Sequence, residues 1–356
     1  MNEYILLLFT FGIITLFSYF FFIFKKEGEF HTKPEESVRT KKLRIVQFNA
    51  EWLYIKKEYV NKILLEYPWS IKNYPWKTKE EELLHLNYIS NTLKKLNPDI
   101  INLCEIQNKN VLDTVIKNIG DTSYTPYIIE NARNNQNVCL LTKIKPTSFY
   151  KNIDEIEYPI PNSNCDYHPT EQDTYTNLNK NCIAEFFIDG IPIVVIGVHL
   201  KAQFEPKDCA KKEAQAMIIR KIVLEYLEKN YEIIVLGDFN DFDNKILDIN
   251  NNISNSSCFD IIKGVDSTYK LYNINKKIPK DKRYSQFWDI NDDNNKTSYE
   301  FSMIDAMFVS KKLYNAAKNV FVYRPETSDN EELDNIYNSD HDPLVVDFDF
   351  SDLKKD

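Results

Sequence analysis

The sequence predicts an α+β domain of packed sheets flanked by helices. Two observations carry that prediction. Apolar runs of strand length, rich in Val, Ile and Phe, recur at residues 43–49, 99–104, 138–142, 182–188, 192–200, 232–237, 303–310 and 344–350. Only residues 80–96 and 208–229 read as helices, too few and too unevenly placed for a regular β/α barrel. In the first helix Leu83, Leu84, Leu86, Ile89, Leu93 and Leu96 follow near-helical spacing, and Pro98 closes it. The second is rich in Ala, Lys, Glu and Ile. Residues 162–181 and 243–257 are polar and loop-like, the kind of segment that carries substrate contacts at strand ends.

The globular region runs over residues 43–350, with no internal repeat and no strong linker, and residues 351–356 form a short tail. Before it, residues 5–24 carry no charge over 20 positions. As a helix that run spans roughly the 30 Å hydrocarbon core of a bilayer. It is long, lacks a preceding basic residue and is not followed by a small-residue cleavage site, so a single hydrophobic helix retained as a membrane anchor is favoured over a cleaved signal peptide. Residues 1–24 are thus expected to be an anchor or signal segment, and 25–42 a polar tether. Lys25 and Lys26 after the run, against Glu3 before it, favour a cytosolic body; cleavage would make the protein secreted. The sequons at Asn252, Asn255 and Asn295 are expected by chance in an Asn-rich chain and do not decide the side.

The formal net charge of -9 argues against a broad basic surface for polyanions. A nucleic-acid substrate would therefore be held locally, with help from a metal. Six cysteines without a Cys-x-x-Cys pair argue against structural zinc. Cys104 and Cys139 lie in strand runs and read as buried thiols, whereas Cys165, Cys182 and Cys209 lie in or near loops, where a bridge among them is open.

Polar residues recur where apolar strands end. Asn49, Glu105, His199, Asp238 with Asn240, Asp305, and Asp340 with His341 all stand beside such runs. Any one of them taken alone reads as an ordinary strand terminator. Together they are a set of hard oxygen donors and histidines, suited to Mg²⁺ or Mn²⁺ rather than zinc and to phosphoryl chemistry. A histidine held by a carboxylate, with Asp305 and His341 as the candidate pair, can orient or deprotonate water.

The ordered segments QFNAEWL, IINLCEIQ, GVHLKAQ, VLGDFND, SMIDAMFVS and SDHDPLVVDF resemble the endonuclease/exonuclease/phosphatase superfamily over residues 43–350. The group includes pancreatic-type deoxyribonuclease, abasic-site endonucleases, neutral sphingomyelinases and inositol polyphosphate 5-phosphatases. The resemblance implies a four-layered αββα sandwich with a catalytic centre at one sheet edge. It further implies Glu105 as principal metal ligand, Asn49 as its neighbour and Asp340 as a further metal or supporting carboxylate. Asp238 and Asn240 would position the phosphate, Asp238 also aiding proton transfer. His199 would contact the phosphate, and Asp305 would hold His341 as general base or phosphate contact.

Segments CAKKEAQAMII and RYSQFWDINDDNN resemble nuclease-like members from bacteria and protists, where a His or Tyr would be expected in place of Ala306. Arg133, Arg283 and Trp288 are the expected substrate contacts, Trp288 by stacking on a base. The reading is an Mg²⁺-dependent nuclease acting on DNA or RNA. The alternative is a membrane-associated phospholipid phosphodiesterase or phosphatase, sphingomyelinase-like or acting on inositol phosphates, which an anchor would hold near lipid. A non-catalytic binding protein is disfavoured, because all the expected catalytic residue types are present.

Overall fold

The computed structural model describes residues 26–31, 40–55, 74–76, 78–169, 174–289, 297–324 and 338–352. The apolar segment 5–24, residues 32–39 of the expected tether and Asn295 lie outside them. No helix among the described residues is long and apolar enough to cross a membrane.

The chain runs β1 (Lys26–His31), β2 (Lys42–Leu53), α1 (Lys79–Leu96), β3 (Ile100–Ile106), α2 (Lys109–Ile119), β4 (Thr125–Ile128), β5 (Asn137–Thr142), β6 (Ser148–Asn152), β7 (Glu155–Glu157), β8 (Tyr175–Asn177), β9 (Asn181–Ile188) and β10 (Ile191–His199). It continues through α3 (Pro206–Glu228), β11 (Glu232–Asp238), α4 (Cys258–Lys263), β12 (Tyr272–Asn273), β13 (Gln286–Phe287), β14 (Phe301–Ser302), β15 (Asp305–Val309), α5 (Lys311–Ala316), β16 (Ala317–Val322) and β17 (Leu344–Asp349). A seven-stranded sheet has the order β1-β6-β9-β10-β11-β15-β12, and a six-stranded sheet the order β16-β17-β2-β3-β5-β4.

The period of two along each strand sorts side chains into layers. In β11, Ile233 and Val235 face α3, while Ile234 and Leu236 face the other sheet. In β2, Ile45 faces between the sheets, and Val46 and Phe48 pack beneath α1 with Leu86, Ile89 and Leu93. The result is helix, sheet, sheet, helix: the sandwich expected. Each fully buried Ile, Leu or Val in these layers contributes about 1.5–3 kcal/mol.

Local signals account for the helix ends. Thr78 and Glu81 form a capping box before α1, and Asn97 closes it in the left-handed region. Helix α2, which apolar periodicity did not single out, is capped by the Asn108 side chain and ended by Gly120 at φ 77°. The structure differs from expectation at the start of the body. Residues 26–31, expected within a polar tether, form an edge strand antiparallel to β6, and Phe30 packs against Phe149 and Tyr127. A six-residue strand with one large apolar contact carries little signal above its polar surroundings.

Of the three cysteines in or near loops, Cys165 and Cys209 form a disulfide that ties the segment after β7 to the first turn of α3. Cys182 is buried and free within β9, as are Cys104, Cys139 and Cys258 elsewhere.

Candidate active site

Four of the strand-end residues obey the same parity as the inter-sheet core. In β2 the series Leu43, Ile45 continues to Gln47 and Asn49; in β11 Ile234, Leu236 continues to Asp238. In β10 Ile193, Val195 continues to Gly197 and His199, and in β15 Val309, Met307 continues back to Asp305. The space between the sheets is therefore apolar along most of its length and polar at one end. The sheets approach closely there. A Cβ on Gly197 would stand 2.0 Å from the Asn102 side-chain oxygen across the layer, so only glycine fits.

Glu105 breaks the parity. Cys104 belongs to the inter-sheet layer, so a regular strand would turn Glu105 outward. Instead Glu105 adopts φ 65°, and the pairing of β3 with β5 shifts register between Leu103 and Ile106. Beside it the pairing of β2 with β3 shifts between Asn49 and Leu53, where Glu51 and Trp52 also have positive φ. The two adjacent irregularities re-aim the carboxylate. It accepts from the Trp52 amide at 3.0 Å and lies 3.4 Å from the Asn49 side-chain nitrogen.

His341 precedes β17 and joins the two sheets. Its Nδ1 is 2.6 Å from Asp305 Oδ2. That carboxylate is fully engaged: Ser285 Oγ donates to Oδ2 at 2.8 Å, and Gln47 Nε2 donates to Oδ1 at 3.0 Å. With Nδ1 committed, Nε2 faces Asp238 Oδ2 at 3.8 Å and Asp340 Oδ1 at 3.9 Å. Burial alone would depress the imidazole, but Asp305, Asp340 and Asp238 override it and hold His341 well above its ordinary pKa, as a cation at neutral pH. Asp238, buried and adjacent to Asp305, is pushed up to about 7, with His341 and its hydrogen bonds limiting the rise. Its Oδ1 accepts the Asn240 amide at 2.9 Å and its Oδ2 accepts from Asn49 at 3.0 Å.

His199 behaves oppositely. Burial, with Lys180 and His341 nearby, holds it well below its ordinary pKa, so it is neutral. Its Nε2 lies 3.6 Å from Asp238 and 3.9 Å from Glu105. Its Nδ1 is buried with no partner among the described residues.

Asn49, Glu105, His199, Asp238, Asp305 and His341 thus meet in one cleft, with Asp340 and Asn240 at its border. The structure adds residues that the motifs did not point to. Gln47 and Ser285 orient Asp305. Glu51 accepts the Asp340 amide at 2.8 Å, and burial, with Asp340 and Glu105 beside it, pushes its carboxyl well up. Lys180 donates to Gln136 at 2.6 Å; burial lowers its pKa despite the pull of Glu105 and Asp238. Gln47 was legible in principle, being two residues before Asn49 on the same face. Lys180 and Ser285 lie in loops and gave no periodic signal.

The three expected substrate contacts separate. Trp288 is 63% exposed, next to Phe287, whose amide donates to the Asp340 carbonyl at 2.9 Å. Arg133 is exposed on a short turn whose next residues lead to Gln136, the partner of Lys180. Arg283 is not placed for substrate. Its guanidinium donates to the carbonyls of Leu247, Asn275 and Ile278, which makes it a clamp between loops. Ala306 also faces away from the cleft, fully buried in the core beneath α3, so its small size does not shape a substrate surface.

The donor set fits a small hard cation. Burial, with Asp340 and Glu105 beside it, pushes the Glu51 carboxyl well up, and burial, with Glu105 and Asp305 nearby and His341 opposing, pushes Asp340 up to about 6. The Asn49 side-chain oxygen lies beside them, accepting the Glu51 amide at 3.1 Å. No three His, Cys, Asp or Glu side chains among the described residues close into a preformed metal cage. Mg²⁺ does not need one, since it keeps most of its waters and binds through one or two carboxylates.

No family model and no curated protein sequence matches the chain. Solved structures do. A 3'-5' exonuclease from Neisseria meningitidis matches with TM-score 0.52 at 16% identity, over 86% of this chain and 100% of that one. An AP endonuclease from Archaeoglobus fulgidus matches with TM-score 0.51 at 16% identity, over 86% and 99%. The chain shares the fold of these two structures, as the resemblance in the sequence led one to expect. TDP2 from C. elegans matches the same fold with TM-score 0.50 at 13% identity, over 88% of this chain and 76% of that one. At these identities the likeness concerns the fold, and the chemistry rests on the cleft itself.

Proposed function

We propose that this protein is a divalent-metal-dependent phosphodiesterase, and that its substrate is a nucleic acid. The observation that carries the reading is the meeting, from both sheets, of the His341–Asp305 pair with Asp238, Asn49 and Glu105. Asp238 accepts a proton from the attacking water; its raised pKa suits a base working near neutrality. The Asn240 amide pins Oδ1, leaving Oδ2 toward the cleft. His341, charged and held at Nδ1 by Asp305, donates from Nε2 to a non-bridging phosphoryl oxygen and stabilises the charge that develops there. His199, neutral, contacts the phosphate from the other side. The water oxygen bonds to phosphorus, the ester P–O bond breaks, and the leaving oxygen takes a proton from solvent. Mg²⁺, or Mn²⁺ in its place, held by Glu105 and Asn49 with Asp340 beside them, would neutralise phosphoryl and leaving-group charge.

Exposed aromatics support nucleic acid over a lipid or inositol phosphate. Phe204 is 56% exposed and stacks on Phe242 at 5.3 Å and 2°. Lys212, which lies over Phe204, donates to the Asn240 carbonyl, so the ring pair borders the cleft. A base stacked on an exposed aromatic side chain contributes about 1–3 kcal/mol.

The test offers plasmid DNA, RNA, sphingomyelin and inositol phosphates in parallel to the purified chain with Mg²⁺. Cleavage of a nucleic acid is expected, with EDTA abolishing it. Turnover of a lipid or inositol phosphate while both nucleic acids stay intact would overturn the nuclease reading. Glu105→Ala and His341→Ala should each lower kcat by about 1,000-fold or more.

For location, the Cys165–Cys209 disulfide favours an oxidising compartment over the cytosolic side expected from Lys25 and Lys26. A body protected from protease in sealed cells would speak against that placement.

A further inference from the structure

On a chain of net charge -9, one cavity carries the opposite sign. It measures about 370 Å³, within the usual range for small-ligand sites, and lies where β12 forms the end of the seven-stranded sheet. Lys245, Lys263, Lys270, Lys276 and Lys311 line it, with no carboxylate among the lining residues.

Two of these lysines are already neutralised. Lys263 pairs with Asp243 at 3.0 Å and Asp260 at 2.9 Å, and Lys245 pairs with Asp260 at 3.0 Å. Lys270, Lys276 and Lys311 are exposed, and no ion pair to a carboxylate is formed by any of them among the described residues. Lys311 instead lies over the rings of Tyr272 and Tyr314, at 4.7 and 5.9 Å from their centroids. Those rings stand 5.3 Å apart and form an aromatic wall. A solvated basic face would be convex and interleaved with acids. Here three uncompensated ammonium groups converge on a concavity beside two phenol groups.

The cavity is separate from the catalytic cleft. Tyr272 pairs with Val309, at the opposite end of β15 from Asp305. Four residues of strand put those ends roughly 13 Å apart.

We propose that this cavity is a second anion site that takes a phosphate group, held by Lys270, Lys276 and Lys311 against the Tyr272–Tyr314 wall. Ammonium groups bind phosphate as point charges and do not require the fork geometry of arginine. The phosphate comes either from a nucleic-acid strand running past the catalytic cleft or from a free polyphosphate. The site does not depend on the catalytic reading, since binding there needs no turnover.

The test uses the full chain in EDTA, where hydrolysis is stopped. Binding of inorganic pyrophosphate is followed by titration calorimetry, and binding of a labelled 12-nucleotide single strand by fluorescence anisotropy. Wild type is compared with K270Q/K276Q/K311Q and with K270R/K276R/K311R. The Gln triple should weaken at least one ligand by about tenfold or more, and the Arg triple should restore it. If the strand is the source, the salt slope of strand binding falls by roughly 0.7 per phosphate left without its lysine. Weakened pyrophosphate binding alone assigns the site to a free polyphosphate. The proposal is overturned if the Gln triple binds both ligands as wild type does, if wild type binds neither, or if the Arg triple is as weak as the Gln triple. Failure of the nuclease reading would show separately, as wild-type binding without cleavage when Mg²⁺ is restored.

Discussion

The middle of the inter-sheet layer and its catalytic end stand on the same strands and follow the same alternation, yet they are made of opposite materials. In the middle, Ile45, Ile193, Val195, Ile234, Leu236 and Met307 interdigitate with almost no exposure. At the end, Gln47, Asn49, His199, Asp238 and Asp305 occupy the next positions of the same series, equally buried but polar: hydrogen bonds join Gln47 to Asp305 and Asn49 to Asp238, burial raises Asp238, and burial lowers His199. The middle holds the sheets together. The end uses that rigidity to keep charged groups at distances they would not choose in water, and local strain at Glu51, Trp52 and Glu105 collects there. Stability and chemistry are separated along one layer, and variants should separate them too.

The largest effect is expected from Asp305→Asn, which keeps the shape but removes the charge that holds His341 protonated and oriented. Steady-state kinetics should show kcat down by about 1,000-fold, an activation cost of about 4 kcal/mol, with an unchanged circular dichroism spectrum. A loss below tenfold would mean that Asp305 does not orient His341.

Ile234→Ala probes the middle. It should cost about 3 kcal/mol of stability in urea unfolding, through reduced burial and the cavity left behind. Activity per folded molecule should hold. A fall in kcat as large as that of Asp305→Asn would show that the two regions are not separable.

The smallest effect is expected outside the layer. Arg44 on β2 pairs with Asp347 on β17 at 2.6 Å, with side chains 35% and 21% exposed. The Arg44 hydrogen bond holds the Asp347 carboxyl below its ordinary value. Its stabilisation is therefore present above the unfolded-state pKa of about 3.9 and is lost as pH falls through the lower folded value. Asp347→Asn should cost under about 1 kcal/mol at pH 7 and progressively less as the pH is lowered below the unfolded-state pKa, read as the difference between urea midpoints. A cost that grows toward acid would reverse that sign.

Much of this was legible in the chain because it rests on local physics. Apolar runs of strand length marked the long strands, and the polar residues Asn49, His199, Asp238 and Asp305 were visible at their ends; the structure shows them continuing the inter-sheet alternation. Other features left no local trace. Edge strand β1 is short and polar, and helix α2 shows itself by its caps more than by its apolar positions. Arg283, read as a substrate contact because it is basic and near a motif, is spent on three carbonyls brought from other loops.

By itself the sequence determined the long strands and the inventory of the cleft, since apolar runs and residue chemistry are properties of neighbours along the chain. The tertiary structure alone decided that Glu105 turns into the cleft against its parity, that His341 is a cation while His199 is neutral, and that Lys270, Lys276 and Lys311 share one cavity. Each of those outcomes depends on burial and on charges contributed by residues distant in the chain, and no spacing along a single strand encodes them.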